Sequence, residues 1–583
     1  MRDRIAPIAG LLPLLCIYLF SMPTTLPDFD AGEFAVVAKN GGIAHPPGYP
    51  LLTVIYWLTV RVNSDWPVVR VLSLTSICFT VLAAYIFYRV LAERFKNKIA
   101  SLISVYVCFL AEPVWRAATT LEPFALNVLF ASVCVYAAWK VVTCSNQRFQ
   151  NVWFGVSGLI FGLSFCNHHA MAFMLPFAVL VWLYYAENKF RSFCFFSGCA
   201  LLGLIPLVYF FTNVAQQGAY IFGDWSQRGY SLVYHVLRRN YGTFSLMADQ
   251  DGGVLNAVVF FLKSVVAYSS IVWLPAIVLG GAGWIKQDAA HATEKRFDRL
   301  IAIAFIFVSI CFFLFFKIDI KPLHLAVAER FHALPMVLLC FPVCYCVDKV
   351  SSDNRRFRVL GLSLAVILCM YHGISQWPES ERKNERFYEN HIINVLSTVE
   401  KDSVIVTNAD ADYFGLLYGI QVLSLRSDVK VLQYGLWKTT WYRKRFANKN
   451  NLSSEIVKAD DIGACIASLL DQFPVYILNP EIMAFHPFLH RSFPIGPLIR
   501  LSADETGIPD AVALFRRNQF LFDERLFVPN PESMRTLNAW ETYLVAYYSR
   551  TWKTLNNALI ATGDKEKADM CQNYIHKLTK GAM

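Results

Sequence analysis

Three carboxylates fall within six residues near the N-terminus, in Leu26-Pro27-Asp28-Phe29-Asp30-Ala31-Gly32-Glu33-Phe34. Asp30 and Glu33 are three apart, so on a helical turn they share a face. Such a pair suits a general base that takes the proton of an acceptor hydroxyl. Oxygen ligands of this kind also hold divalent metals. A blander reading makes them helix-capping acids on a solvated loop. Downstream comes Ala44-His45-Pro46-Pro47-Gly48-Tyr49-Pro50, which proline stiffens.

Further polar groups follow in separate segments. Glu112 to Glu122 includes Trp115 and Arg116, and Asn167-His168-His169 is a short polar stop between apolar runs. A longer segment carries Asp224-Trp225, Arg228, His235 and Arg238-Arg239-Asn240-Tyr241-Gly242, and another carries Lys317, Asp319, Lys321, His324 and Glu329-Arg330-Phe331. Guanidinium binds phosphate bidentately, so arginines grouped beside apolar runs point to a phosphate site. Single arginines there are explained equally well by snorkelling to lipid headgroups.

The elements that must position these residues are apolar helices. Of 583 residues, 56% are hydrophobic and 16% charged, against about 25% charged in a soluble domain. Eleven apolar runs approach the length that crosses a bilayer: Ile5–Met22, Val68–Leu91, Ile99–Ala111, Phe124–Val142, Val152–Cys166, Ala170–Tyr185, Phe193–Phe211, Leu255–Ile285, Leu300–Phe316, Ala333–Val347 and Val359–Ser375. Leu51–Val62 is shorter and suits a re-entrant or interfacial helix. The loops alternate in charge. Arg2/Arg4, Arg94/Lys96/Lys98, Arg148, Lys189/Arg191, Lys286 to Arg299 and Lys349 to Arg358 form the basic, cytoplasmic set. An odd number of spans then puts the acidic first loop and the C-terminal region on the outer side. This distribution of the +10 net charge argues against nucleic acid as a partner. Thirteen of fifteen cysteines lie in or beside apolar runs, and only Cys465 and Cys571 are left as a conceivable pair.

The motifs, in this order, resemble the GT-C superfamily of membrane glycosyltransferases that use polyprenyl-phosphate sugars. They are most similar to bacterial relatives of the eukaryotic transmembrane O-mannosyltransferases. The resemblance rests on Asp30-Ala31-Gly32-Glu33, with alanine where that family has serine, and on Ala44 to Pro50. It continues through Trp115 to Glu122-Pro123-Phe124-Ala125-Leu126-Asn127, Gly162-Leu163 to Asn167-His168, Arg238 to Gly242, and Glu329-Arg330-Phe331. It implies an inverting transfer of a monosaccharide from a polyprenyl-phosphate donor to a hydroxyl of a protein, lipid or glycan, at the outer face of a bacterial cytoplasmic membrane. It implies Asp30 as base, Glu33 orienting it or the acceptor, and Arg238, Arg239 and Arg330 on the donor phosphate. Asp28, His45, Tyr49, Arg116, Glu122, Asn167, His168, Tyr241 and Glu329 would complete the site. No cofactor is indicated by the resemblance, and a divalent metal stays compatible with the acids.

The expected architecture is a polytopic α-helical membrane protein of GT-C type over 1–376, an outer α/β domain over 377–530, and a helical hairpin over 531–583. Strands are expected at Val404–Asn408, Val429–Tyr434 and Pro474–Leu478, with helices at Tyr413–Gly419 and Thr440–Phe446. Asn408 to Asp412 and Trp441-Tyr442 also look family-like, and no glycine-rich phosphate loop accompanies them. Two other classes share the composition: a lipid or polysaccharide transporter, and a non-catalytic envelope assembly protein. A transporter places charges mid-bilayer on broken helices; here most charges lie in loops.

Overall fold

A computed structural model describes residues 2–95, 97–213, 219–240, 242–243, 253–286, 292–311, 313–314, 321–350, 355–383, 385–453, 456, 461–479, 485–528 and 539–579. The chain divides into two compact units, one of 1–23 and 40–384, the other of 24–39 and 385–583. The acidic segment 24–39 belongs with the C-terminal residues, and 531–583 lies in the same unit as 385–530.

The first unit is helical. Val68–Phe95, Phe124–Thr143, Lys189–Thr212, Val254–Lys286, His324–Val350 and Arg356–Ser380 are long and apolar enough to cross a membrane. Lys98–Phe109 and Glu112–Thr119, bent by 74°, add a seventh if counted as one span. Among the other expected runs, Ile5–Met22 and Ala170–Tyr185 fall on the shorter apolar helices Pro7–Ser21 and His169–Tyr185. Asn97, Asn146 and Asn188 cap the helices that follow them, each accepting a backbone N–H.

Gln147–Phe165 and Lys189–Gly203 pack with their backbones in contact. A Cβ on Gly158 would lie 2.0 Å from the Phe196 carbonyl oxygen, and one on Gly162 2.1 Å from that of Ala200. Small residues four apart are how apolar helices approach when no hydrophobic force distinguishes protein from lipid. This pairing sets where the Asn167-His168 stop emerges. Val254–Lys286 breaks at Ser270 (φ 50°), where the Ser270 hydroxyl meets His372 Nδ1 at 2.8 Å. His372 Nε2 donates to the Val107 carbonyl, and Gln376 accepts from the Glu112 N–H. Gln376 also donates to the Ala267 carbonyl beside the break, so one side chain links the break to the bent Glu112–Thr119 helix.

The second unit contains a five-stranded sheet in the order β4-β3-β5-β7-β6, formed by β3 (Val404–Thr407), β4 (Lys430–Gln433), β5 (Val475–Ile477), β6 (Ser492–Ile495) and β7 (Leu498–Leu501). The short pair β1 (Gly42–Ile43) and β2 (Tyr220–Ile221) belongs to the first unit. β3, β4 and β5 are parallel and lie within the three segments read as strands. The β6–β7 hairpin was not foreseen, because Pro494 inside β6 argues against a strand. Gly496, at φ 55°, makes the tight turn, and Asn518 and Thr551 side chains bond its N–H and carbonyl. Ala539–Ala561 and Lys565–Thr579 form the terminal hairpin, with Trp552 stacked on Tyr574 at 3.9 Å. Cys465 and Cys571 are both buried free thiols.

Asp412 is fully buried near the start of Asp410–Gln421, where Tyr547 donates to it at 2.9 Å. Burial pushes its carboxyl up from 3.8 to about 7, and the Tyr547 bond pulls it partly back. The folded chain therefore holds a proton that the unfolded chain has lost between those values. Stability from this group is full below 3.8 and disappears as pH rises through about 7. Thermal unfolding of the full chain followed from about pH 5 to about pH 8 should show a falling midpoint in wild type and a flatter profile in Asp412→Asn, which should be the more stable protein at the alkaline end.

Candidate functional site

The expected site residues fall into both units, and each group has its own construction. In the second unit the segment 24–39 is fastened along its length. Thr25 Oγ1 donates to the Glu385 carbonyl, Glu389 accepts from the Leu26 N–H at 2.9 Å, and Lys39 Nζ donates to the Val422 carbonyl at 2.8 Å. The Glu389 carboxylate also accepts from the Tyr418 hydroxyl. Asp30 directly precedes the helix Ala31–Asn40, and its carbonyl accepts from the Phe34 N–H. Asp28 and Glu33 are buried, whereas Asp30 is partly exposed. Burial above all raises the Tyr388 and Tyr413 hydroxyls, and the charges of Asp412, Asp28 and Asp30 raise the first further, that of Glu33 the second. Gly32 sits where side chains cannot: a Cβ there would lie 2.6 Å from the Phe414 carbonyl oxygen.

In the first unit, Ala44 to Pro50 is folded onto part of the long loop. β1 and β2 pair in parallel, and the Phe222 N–H donates to the Ile43 carbonyl. His235 Nε2 meets the Ala44 carbonyl at 2.9 Å. Burial holds the His235 ring well below its ordinary value, at about 3, so it is neutral. Gly48 has φ 90°, and a Cβ there would strike the Phe210 ring at 2.5 Å. Tyr49, left-handed at φ 46°, starts Pro50–Val62 and directs its hydroxyl to His45 Nε2 at 3.1 Å.

His168 lies among the rings of Tyr49, Phe124 and Phe331, at centroid distances of 6.0, 5.3 and 5.6 Å. Its Nδ1 accepts from the Ala170 N–H at 3.1 Å, so the neutral ring carries its proton on Nε2. Burial lowers its pKa well below the ordinary value, and the charges of Arg238, His169, Arg330 and His45 lower it further. Arg330 pairs with Glu122 at 2.8 Å and lies over the Phe124 ring. Arg238 is half-buried at φ 54°, whereas Arg239 is exposed. Asn167 is fully buried and donates to the Pro123 carbonyl and to Asn127 Oδ1, a fastening role rather than an exposed substrate contact. Tyr241 lies outside the described residues.

Arg116 and Glu329 belong to a different group. Arg116 approaches Glu112 at 3.7 Å, and the charges of Glu112, Arg116, Glu329, Glu379 and Arg382 act on one another. Glu329 and Arg330 are neighbours in sequence yet serve separate clusters, because the turn Arg330–His332 separates their side chains. His332 anchors that turn, buried among Phe260, Phe261, Tyr268 and Phe313. His332 and Arg382 were not singled out from sequence, and His235 and Glu112 were noted in their polar segments without a role. A lone histidine between apolar residues carries no local signal of this kind. Among the described residues, no group of three or more His, Cys, Asp or Glu is arranged to hold a metal.

Residues 30–192 match the protein O-mannosyl-transferase TMEM260 N-terminal domain, and 389–460 match TMEM260-associated domain 2. The mouse protein O-mannosyl-transferase TMEM260 is 23% identical over 470 residues, 77% of this chain and 64% of the mouse protein. The Dictyostelium discoideum protein of that name is 23% identical over 483 residues, 74% of this chain and 58% of its own. The chain thus spans less than two thirds of the length of these relatives. ArnT from Cupriavidus metallidurans superposes with TM-score 0.52 in the apo state, at 12% identity over 86% of this chain and 98% of ArnT. The same enzyme with undecaprenyl phosphate bound gives 0.52 at 11% identity, over 87% and 99%.

Two substitutions test this construction. Gly32→Ala should cost about 1–3 kcal/mol by overpacking against Phe414, read as a lower unfolding midpoint of the full chain and easier proteolysis near residue 32. Glu122→Gln removes the carboxylate that pairs with the half-buried Arg330 and should lower the unfolding midpoint; the double variant Glu122→Gln/Arg330→Met should recover most of that loss in the same melt.

The chain is thus similar in sequence to the TMEM260 protein O-mannosyl-transferases over two matched domains, and it shares its fold with ArnT.

Proposed function

We propose that the chain is a membrane glycosyltransferase that moves a monosaccharide from a polyprenyl-phosphate carrier to a hydroxyl acceptor on the outer face of the membrane. The observation that carries this reading is the state of the first-loop acids. Of three carboxylates on one segment, Asp28 and Glu33 are buried and Asp30 keeps solvent access. A general base must reach its proton donor, so Asp30 is the group to take the acceptor's proton. Glu33, held inward beside Tyr413, supports the segment.

In the first unit, the neutral imidazole of His168, with Nε2–H as a donor, stands in the field of Arg238 and Arg330. Such a group suits an anion better than a cation. There the donor phosphate would be held and would take up charge as it leaves. The acceptor oxygen attacks the anomeric carbon as its proton passes to Asp30. The bond from that carbon to the phosphate oxygen breaks with its electron pair on the phosphate, and the configuration inverts. A phosphate leaves without protonation, so one carboxylate base suffices. Undecaprenyl phosphate bound to ArnT, whose fold this chain shares, supports a lipid-phosphate donor. The relatives' name supports a protein hydroxyl as acceptor and mannose as the first sugar to try.

A transporter reading draws on the break at Ser270, but the groups there are serine, histidine and glutamine, bonded to one another rather than charged.

Mass spectrometry of envelope glycoproteins and glycolipids from cells carrying wild-type or Asp30→Asn protein is the test. Loss of one hexose from a defined acceptor, with transfer reduced about 100-fold or more in reconstituted membranes, is expected for removal of a general base. Undiminished transfer by Asp30→Asn would sink the assignment.

A further inference from the structure

From Val429 to Ser454 the chain has six basic residues, Lys430, Lys438, Arg443, Lys444, Arg445 and Lys449, and no acid. An ordinary solvated helix mixes the two signs. The helix Thr440–Lys449 in this stretch has two distinct sides. Tyr442, Phe446 and Ala447 are buried, and Arg443 is buried with them, donating to the Trp437 carbonyl and to Thr440 Oγ1. The opposite stripe, at i, i+3, i+4 and i+7, is Trp441, Lys444, Arg445 and Asn448. Lys444 and Asn448 are exposed on it, as is Lys438 just before the helix. The Arg445 guanidinium lies over the Trp441 ring at 5.1 Å. The face is therefore one preassembled combination of indole and cations.

We propose that this face binds the anionic headgroups of membrane phospholipids. Tryptophan with lysine and arginine on one side of a short helix is the composition that rests at a bilayer interface. A soluble partner of acidic character would meet the same charges, but a lipid surface is always within reach. The unit that carries the helix is joined to the helical unit at three points in the chain, after Pro23, Lys39 and Asn384. A tether turns even weak headgroup attraction into a standing contact, because the effective concentration is set by linker length rather than by solution. The same helix borders the acid-bearing segment: Arg445 and Glu33 both act on the Tyr413 hydroxyl. Headgroup contact at Trp441 and Arg445 would therefore hold Asp30 and Glu33 close to a lipid surface.

Lipid contact is read without any transferase assay. The full-length chain is reconstituted in nanodiscs that contain phosphatidylglycerol or phosphatidylcholine with a photoreactive group on the headgroup, and the adducts are mapped by peptide mass spectrometry. Adducts within 438–449 at least five-fold more abundant with phosphatidylglycerol, and reduced by about 0.5 M salt, are expected. The variant Lys438→Glu/Lys444→Glu/Arg445→Glu should lose them while keeping adducts at the basic loops near Arg94 and Lys349. Absence of adducts within 438–449 in the wild-type chain, or equal yields with the two lipids, would overturn the proposal. That comparison needs only wild-type protein, so it decides even if the charge-reversed variant fails to fold.

Discussion

The backbone contact of Gly32 with Phe414 governs how the acids of this protein are held. The segment 24–39 lies in sequence between two apolar helices, yet it folds as part of the unit built on the C-terminal sheet. Glycine is required because the start of the helix Ala31–Asn40 presses on the backbone of Asp410–Gln421, leaving no volume for a methyl group. Once that contact is made, Glu33 is turned inward and Asp30 is left at the helix start. Glu389 extends the joint by taking the Leu26 N–H and the Tyr418 hydroxyl on one carboxylate. The glycine between Asp30 and Glu33 is thus a packing residue, and the acids on either side of it acquire different environments from it.

Burial performs a second sorting among the histidines. His168 and His235 are kept neutral because the charged ring would have to shed water without an acid to receive it. Neutrality leaves each ring with one donor and one acceptor, and the backbone fixes which nitrogen is which. His235 spends a nitrogen on the Ala44 carbonyl and so secures the proline-rich stretch. His168 spends Nδ1 on the Ala170 N–H and presents Nε2–H among aromatic rings and arginine charges. The same imidazole chemistry yields a fastener in one place and a candidate ligand donor in the other.

The helical unit solves a different problem, since within hydrocarbon no backbone group can be left without a partner. The break at Ser270 is tolerated because His372, Ser375 and Gln376 converge on it. Gln376 passes the connection on to the N–H of Glu112, at the bend between Lys98–Phe109 and Glu112–Thr119. The helix that carries Arg116 is therefore positioned by neutral polar groups deep among apolar helices.

Sequence by itself determined the class. Apolar run length is a local property and sufficed for a membrane fold, while the ordered motifs from Asp30 to Phe331 carried the resemblance to a family and a set of candidate residues. The three parallel strands were legible for the same reason, as short β-branched runs. Tertiary structure decided which candidates act together. It assigned Arg330 to Glu122 and His168, and Arg116 and Glu329 to another group; it made Asn167 a fastener and left Arg239 in solvent. It also placed segment 24–39 in the C-terminal unit, gave His235 its partner in the Ala44 carbonyl and supplied His332. None of this could be read along the chain, because burial and partner choice come from residues hundreds of positions apart, and it is burial that sets charge, tautomer and access.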